Sequence, residues 1–219
     1  MATSRKDSEV PLFVQQEAFR QSLYYTAKYL CGYSEINERT HGDCIRTLES
    51  SSPRKLIVMP RGTFKTSLAI VAYAIWRMIR DPNERILIES ELWSLAKNSL
   101  KEIKEHIKSD RFQGVFPGWT LSQDNQTEMT ISARMKILKE PTMTSSGMGA
   151  GKTGSHFSVI LLDDLNSPQN SHRPELASQV IDHYRYYTSI LEPGGTIVVV
   201  GTRYSEMDLI GFILKNETL

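Results

Sequence analysis

From residue 54 onward the chain alternates short, β-branched apolar runs with longer segments of helical periodicity. RKLIVM (54–59) reads as a strand, and TSLAIVAYAIWRMIR (66–80), apolar nearly all round, reads as a helix buried against a sheet. Asp81-Pro82-Asn83 then marks a turn before strand RILIES (85–90). A helix over 92–109 follows, with Leu92, Ala96, Leu100, Ile103 and Ile107 forming its apolar stripe. FSVILLDD (157–164) is a buried strand, 173–192 a helix, TIVVVGT (196–202) a strand after the turn Pro193-Gly194-Gly195, and SEMDLIGFILK a last helix. This order predicts an α/β fold with a mostly parallel central sheet flanked by helices.

Outside that core the pattern is less regular. The first ten residues look frayed, 13–33 has mostly helical spacing closed by Gly32, and DCIRTLES is a second short helical pattern before Ser-Ser-Ser-Pro at 50–53. The division expected is an N-terminal helical segment, 1–52, packed on a core, 53–219. Near-alternation over 117–145 predicts a hairpin or edge strands, a possible insertion spanning 110–145.

Length and charge refine this picture. At 219 residues the chain suits one α/β domain, and 26 basic against 25 acidic residues restrict any nucleic-acid contact to a local patch. Cys31 and Cys44, with only His41 nearby, do not make a zinc site, so two reduced thiols are expected. No apolar run reaches membrane-spanning length, and MATSRKDSEV is no signal peptide, so a soluble intracellular protein with no membrane partner is expected.

Two stretches compete as a phosphate loop, which needs a strand before it and a helix after it. GMGAGKTGSHF (147–157) contains Gly-Lys-Thr, yet the preceding EPTMTSS is turn-like and a strand follows. MPRGTFKTS (59–67) is the poorer string in the right context, with Met59 and Phe64 replacing the two usual glycines. Arg61, Gly62, Thr63, Phe64, Lys65, Thr66 and Ser67 are therefore the nucleotide-binding candidates. Lys65 would neutralise β- and γ-phosphate charge, Arg61 would grip the γ-phosphate, and Thr66 with Asp163 would hold Mg²⁺. Asp164 would orient or deprotonate the attacking water. The alternatives are an exposed loop Arg and acidic residues that merely cap a strand or turn. Thr202 at the end of strand 196–201 would sense the γ-phosphate.

These pieces resemble the large terminase subunit of tailed bacteriophages. The match is carried by LYYTAKYLCGY (23–33), IVMPRGTFKTS (57–67), TSSGMGAGKTGSHF leading into VILLDDL (144–165) and VVVGTRYSEMDLIGFIL (198–214). The resemblance implies a P-loop NTPase of the additional-strand, RecA-like type that uses ATP and Mg²⁺ to move double-stranded DNA into a procapsid. It implies a homo-oligomeric ring on the portal protein, a small terminase subunit as partner, and a place at the procapsid portal in the host cytoplasm. Gly201, Thr202 and Arg203 match the family's coupling motif. The family carries a trans-acting basic residue in the glycine-rich loop; near Ser155 this chain has no Arg, which leaves Lys152 or Arg134, with a solvated Lys152 as the alternative. Relatives often place Glu where Asp164 stands, one methylene longer. The nuclease domain that follows the ATPase in this family is expected to be absent.

Lys97, Lys101, Lys104 and Lys108 form a stripe suited to DNA phosphates or simply to solvent. Phe13 and Gln16 are the candidates for adenine contact. Two other readings share the site: a helicase-like DNA-dependent ATPase, which needs a second lobe, and a non-hydrolysing nucleotide-dependent interaction module. A small-molecule kinase would need an acceptor site.

Overall fold

The computed structural model describes residues 10–151 and 154–217. Helices α1 (Leu12–Gln21), α2 (Leu23–Tyr25) and α3 (Glu38–Glu49) precede β1 (Arg54–Val58). The phosphate-loop candidate then enters a helix whose Ser67–Ala72 portion is π-helical and which continues as α4 (Tyr73–Arg80). β2 (Ile86–Ser90), α5 (Trp93–Lys108) and α6 (Asp110–Val115) follow, then β3 (Leu121–Asp124), β4 (Glu128–Ile131) and β5 (Met143–Gly147). The chain finishes with β6 (Phe157–Asp163), α7 (Pro168–Ser171), α8 (Pro174–Ile190), β7 (Leu191–Gly201) and α9 (Leu209–Asn216).

The seven strands form one sheet in the order β1-β7-β6-β2-β5-β4-β3. β1, β7, β6, β2 and β5 run parallel, whereas β4 and β3 extend one edge antiparallel. β7 lies between β1 and β6, so a strand separates the loop-bearing strand from the acidic one. That is the additional-strand, RecA-like arrangement.

Two apolar layers cover the sheet. One holds the fully buried helix residues Leu68 to Ala72 with Ile88, Leu161, Val198 and α5, and α2 and α3 join it through Leu23, Ile45 and Leu48. The other packs Ile160, Leu162, Ile197 and Val199 on α8 and α9. Alternate residues of β6 and β7 thus serve opposite layers, as period-two side chains must.

Four sequence expectations change. The Pro193-Gly194-Gly195 turn falls within β7, which already pairs with β6 at Leu191 and takes up the irregularity as a register shift. The segment read as one helix over 13–33 breaks at Ser22, whose extended backbone (φ −132°, ψ 118°) ends α1 and lets its hydroxyl cap α2. The turn-like EPTMTSS contains strand β5, buried throughout and paired with β2 on one side and β4 on the other. Its two serines and closing glycine make a weak strand signal, but ladder bonds on both edges and burial override it. The region 110–145 does hold a hairpin, β3–β4, but it opens with the short helix α6, capped by the Ser109 hydroxyl.

Candidate nucleotide-binding site

Buried Ile57 anchors β1 in the core, and the chain crosses its C-terminal end before turning into the helix at Lys65. In the loop Thr63 Oγ1 donates to the Pro60 carbonyl at 2.7 Å, and Leu68 N–H reaches the Phe64 carbonyl at 2.9 Å. Gly62 (φ 78°) and Phe64 (φ 55°) both have left-handed backbones. Phe64 therefore adopts a conformation suited to glycine despite its side chain, at a local cost of about 1–2 kcal/mol.

β6 delivers the carboxylates. Its apolar residues are buried, and Asp163 emerges at its end, 6% exposed. The Thr66 hydroxyl lies 3.2 and 3.1 Å from the two Asp163 oxygens. Asp164 turns into the left-handed region (φ 44°), with its N–H on the Val200 carbonyl at 2.9 Å. Its Oδ2 lies 3.5 Å from Lys65 Nζ, while its Oδ1 is buried without a hydrogen-bond partner. Burial, then the neighbouring Asp164 charge, pushes the Asp163 carboxyl up to about 7, against the Thr66 hydroxyl and the Lys65 charge.

These atoms fit a small divalent cation. Thr66 and Asp163 offer hard oxygen donors, and Asp163 carries a carboxylate whose charge lacks enough compensation. Among the described residues no cluster of three or more His, Cys, Asp or Glu could hold a metal. A cation here would therefore complete its shell with phosphate oxygens and water, as Mg²⁺ does.

β7 touches both halves of the site. Met59 N–H donates to the Gly201 carbonyl at 3.3 Å, and Thr202 Oγ1 approaches the Met59 carbonyl at 3.4 Å. Beyond it, Arg203 Nε reaches the Ser205 carbonyl at 3.4 Å. Arg61 Nη2 donates to the Tyr204 hydroxyl at 2.6 Å, with the guanidinium 5.9 Å from the centre of that ring. The Tyr204 and Ser205 amides both donate to fully buried Asp208, whose other oxygen caps α9 through Gly211 N–H at 2.8 Å.

Other candidates do not converge here. Gln16 donates to the Val115 carbonyl at 2.8 Å, and Arg20, on the same helix, donates to the Ile79 carbonyl. Ile79 lies at the far end of the helix running from Lys65 to Arg80, about 24 Å long at 1.5 Å per residue. Exposed Phe13 shares α1 with Gln16, so the adenine assignment of these two residues is corrected. Arg134 donates to the Glu140 carbonyl at 2.7 Å within its own turn, and its Nε and Nη2 are buried. This half-buried arginine is engaged within its own chain. Lys152 lies outside the described residues.

The lysine stripe is also corrected. Buried Lys104 holds Asp124 at 2.9 Å and the Glu128 carbonyl at 3.1 Å, and also donates to the Asn125 carbonyl. Lys108 pairs with Asp124 at 2.9 Å, and Lys97 sits 4.6 Å from the Trp93 ring centre and 3.3 Å from Gln126. Asp124 takes up Lys104 and Lys108, Trp93 and Gln126 engage Lys97, and Lys101 and Lys108 remain exposed.

No family model matches the sequence. A relative described as the large terminase subunit of Enterobacteria phage T3 is 24% identical over 169 residues, covering 76% of this chain and 29% of that protein. The crystal structure of the HK97 bacteriophage large terminase superposes with a TM-score of 0.64, at 9% identity, over 90% of this chain and 40% of that one. The chain resembles the phage large terminases in sequence and in fold. It spans less than half the length of either of these terminases.

Three residues beside the site escaped the sequence. Tyr204 could have been found as the aromatic residue after Gly-Thr-Arg. Ser90, 1% exposed with a hydroxyl that has no partner, stands beside Asp163 in strand register, yet serine at a strand end carries no signal. His41 reaches the Thr63 carbonyl in the β1–helix loop from α3, and nothing in its spacing announces it.

Proposed function

We propose that this chain is the ATPase module of a viral DNA-packaging motor, hydrolysing ATP to drive double-stranded DNA into a procapsid. The observation that carries the reading is the convergence of Lys65, Thr66, Asp163 and Asp164, from a strand–loop–helix and from the end of β6, within 3.5 Å contacts. The likeness to large terminases supports the packaging role.

In this mechanism the helix N-terminus and loop amides receive the phosphates, and Lys65 donates to the β- and γ-oxygens. Thr66 and Asp163 would hold Mg²⁺, which would supply charge neutralisation at those oxygens. As phosphate takes the Lys65 ammonium, Asp164 loses its ion-pair partner and becomes free to accept a proton from the attacking water. Arg61 leaves Tyr204 to grip the γ-phosphate, which connects the loop to the Gly201-Thr202-Arg203 segment. Lys152 would serve the nucleotide of a neighbouring subunit in a homo-oligomeric ring. The portal protein, the small terminase subunit and a site in the infected host's cytoplasm complete the proposal.

Equilibrium Mg-ATP binding and turnover test it. Lys65→Ala should lose binding at least tenfold, and Asp164→Asn should keep binding while turnover falls about a hundredfold or more. Unchanged binding by a folded Lys65→Ala protein would refute the site.

A further inference from the structure

His41, on α3, is 2% exposed and lies against the phosphate loop from outside the sheet. Its Nε2 is 2.9 Å from the Thr63 carbonyl oxygen. Its Nδ1 lies 3.2 Å from both the backbone nitrogen and the carbonyl oxygen of Asn37. A carbonyl oxygen only accepts, so Nε2 carries a proton and His41 donates to Thr63.

Thr63 sits between Gly62 and Phe64, the two left-handed residues of the loop. Every peptide bond among the described residues is trans, and a trans peptide points its carbonyl and its N–H in opposite directions. Fixing the Thr63 carbonyl on His41 therefore aims the Phe64 N–H away from α3. A flip of this one peptide plane would turn a carbonyl oxygen, rather than a donor, toward an anion. Glycine at position 64 would be free to make that flip, and here Phe64 needs an outside clamp to stay in a costly conformation.

We propose that His41 is a positioning residue that holds the Thr63–Phe64 peptide with its N–H directed at the nucleotide's phosphates. The inference rests on the nucleotide-binding reading above. It assigns to the N-terminal helical segment a part in building the site, through one side chain that touches no phosphate itself.

The test compares wild type, His41→Phe and His41→Gln for binding of a fluorescent ADP analogue and of inorganic pyrophosphate, with thermal melts alongside. His41→Phe keeps a ring but loses the donor, and should weaken both ligands about tenfold. His41→Gln carries an amide donor of similar reach and should recover affinity to within about threefold of wild type. A lower melting temperature with unchanged affinity in His41→Phe would overturn the inference and leave a structural histidine. If His41→Phe does not fold, the wild-type imidazole decides. Phosphate on the Phe64 N–H polarises the shared peptide, strengthens the Thr63 carbonyl as an acceptor and moves the His41 Nε2–H proton resonance downfield on pyrophosphate addition. A resonance that stays put overturns the inference. Wild type that binds neither ligand overturns the nucleotide reading itself, and this inference with it.

Discussion

Phe64 and Asp164 hold positive φ at opposite sides of the same site, where most side chains pay a steric penalty. Phe64 is also 43% exposed, so little burial rewards its presence. Phe64→Gly should therefore be more stable than Phe64→Ala by about 1 kcal/mol in chemical denaturation, since only the glycine relieves the left-handed strain. Asp163 makes the second residue-scale prediction. Its pKa, raised from 3.8 to about 7, means that its contribution to stability is present below pH 3.8 and is lost as pH rises through 7. With divalent cations chelated, Asp163→Asn should melt higher than wild type at pH 8, by about 1–2 kcal/mol, and the gap should vanish near pH 4. Mg²⁺-dependent nucleotide binding should be lost in the same variant. The coming together of Lys65, Thr66 and Asp163 was legible because a strand–loop–helix context outweighs a degenerate string. The backbone of Phe64 was not, because no local rule puts phenylalanine in a glycine's conformation.

At the scale of elements, strongly periodic segments were read well and weakly periodic ones were not. Of the stripe Leu92, Ala96, Leu100, Ile103 and Ile107, the last four lie fully inside the core, whereas Leu92, the residue before α5, is 58% exposed. β5 escaped because its burial comes from strands on both sides rather than from its own Met-Thr-Ser-Ser-Gly composition. The lysines of α5 show how a surface face depends on what folds over it. Lys104 is buried and holds the β3–β4 turn through Asp124 and two carbonyls, so Lys104→Ala should cost about 1–2 kcal/mol by removing those charge-assisted hydrogen bonds. Lys101→Ala, at an exposed position, should change stability by less than about 0.5 kcal/mol. Urea melts of the two variants separate the clamp from the solvent face. The same helix-scale view explains Phe13 and Gln16: α1 docks where α4 ends, and sequence proximity to the loop gave no measure of that distance.

For the molecule as a whole, strand order carries the most information and was the hardest to extract. Periodicity predicted parallel strands with helices on both faces, but only the resemblance to terminases implied an additional strand. Non-local pairing has no signature in any one segment, so β7 between β1 and β6 had to come from the structure. Its position gives the site's two halves a common support: Met59 donates to Gly201 on one side of β7, and Asp164 donates to Val200 on the other. In hydrogen–deuterium exchange these two amides, far apart in sequence, should behave as a single reporter. Nucleotide binding should slow isotope uptake at both positions by a similar factor, and any event that loosens the end of β7 should release both labels together.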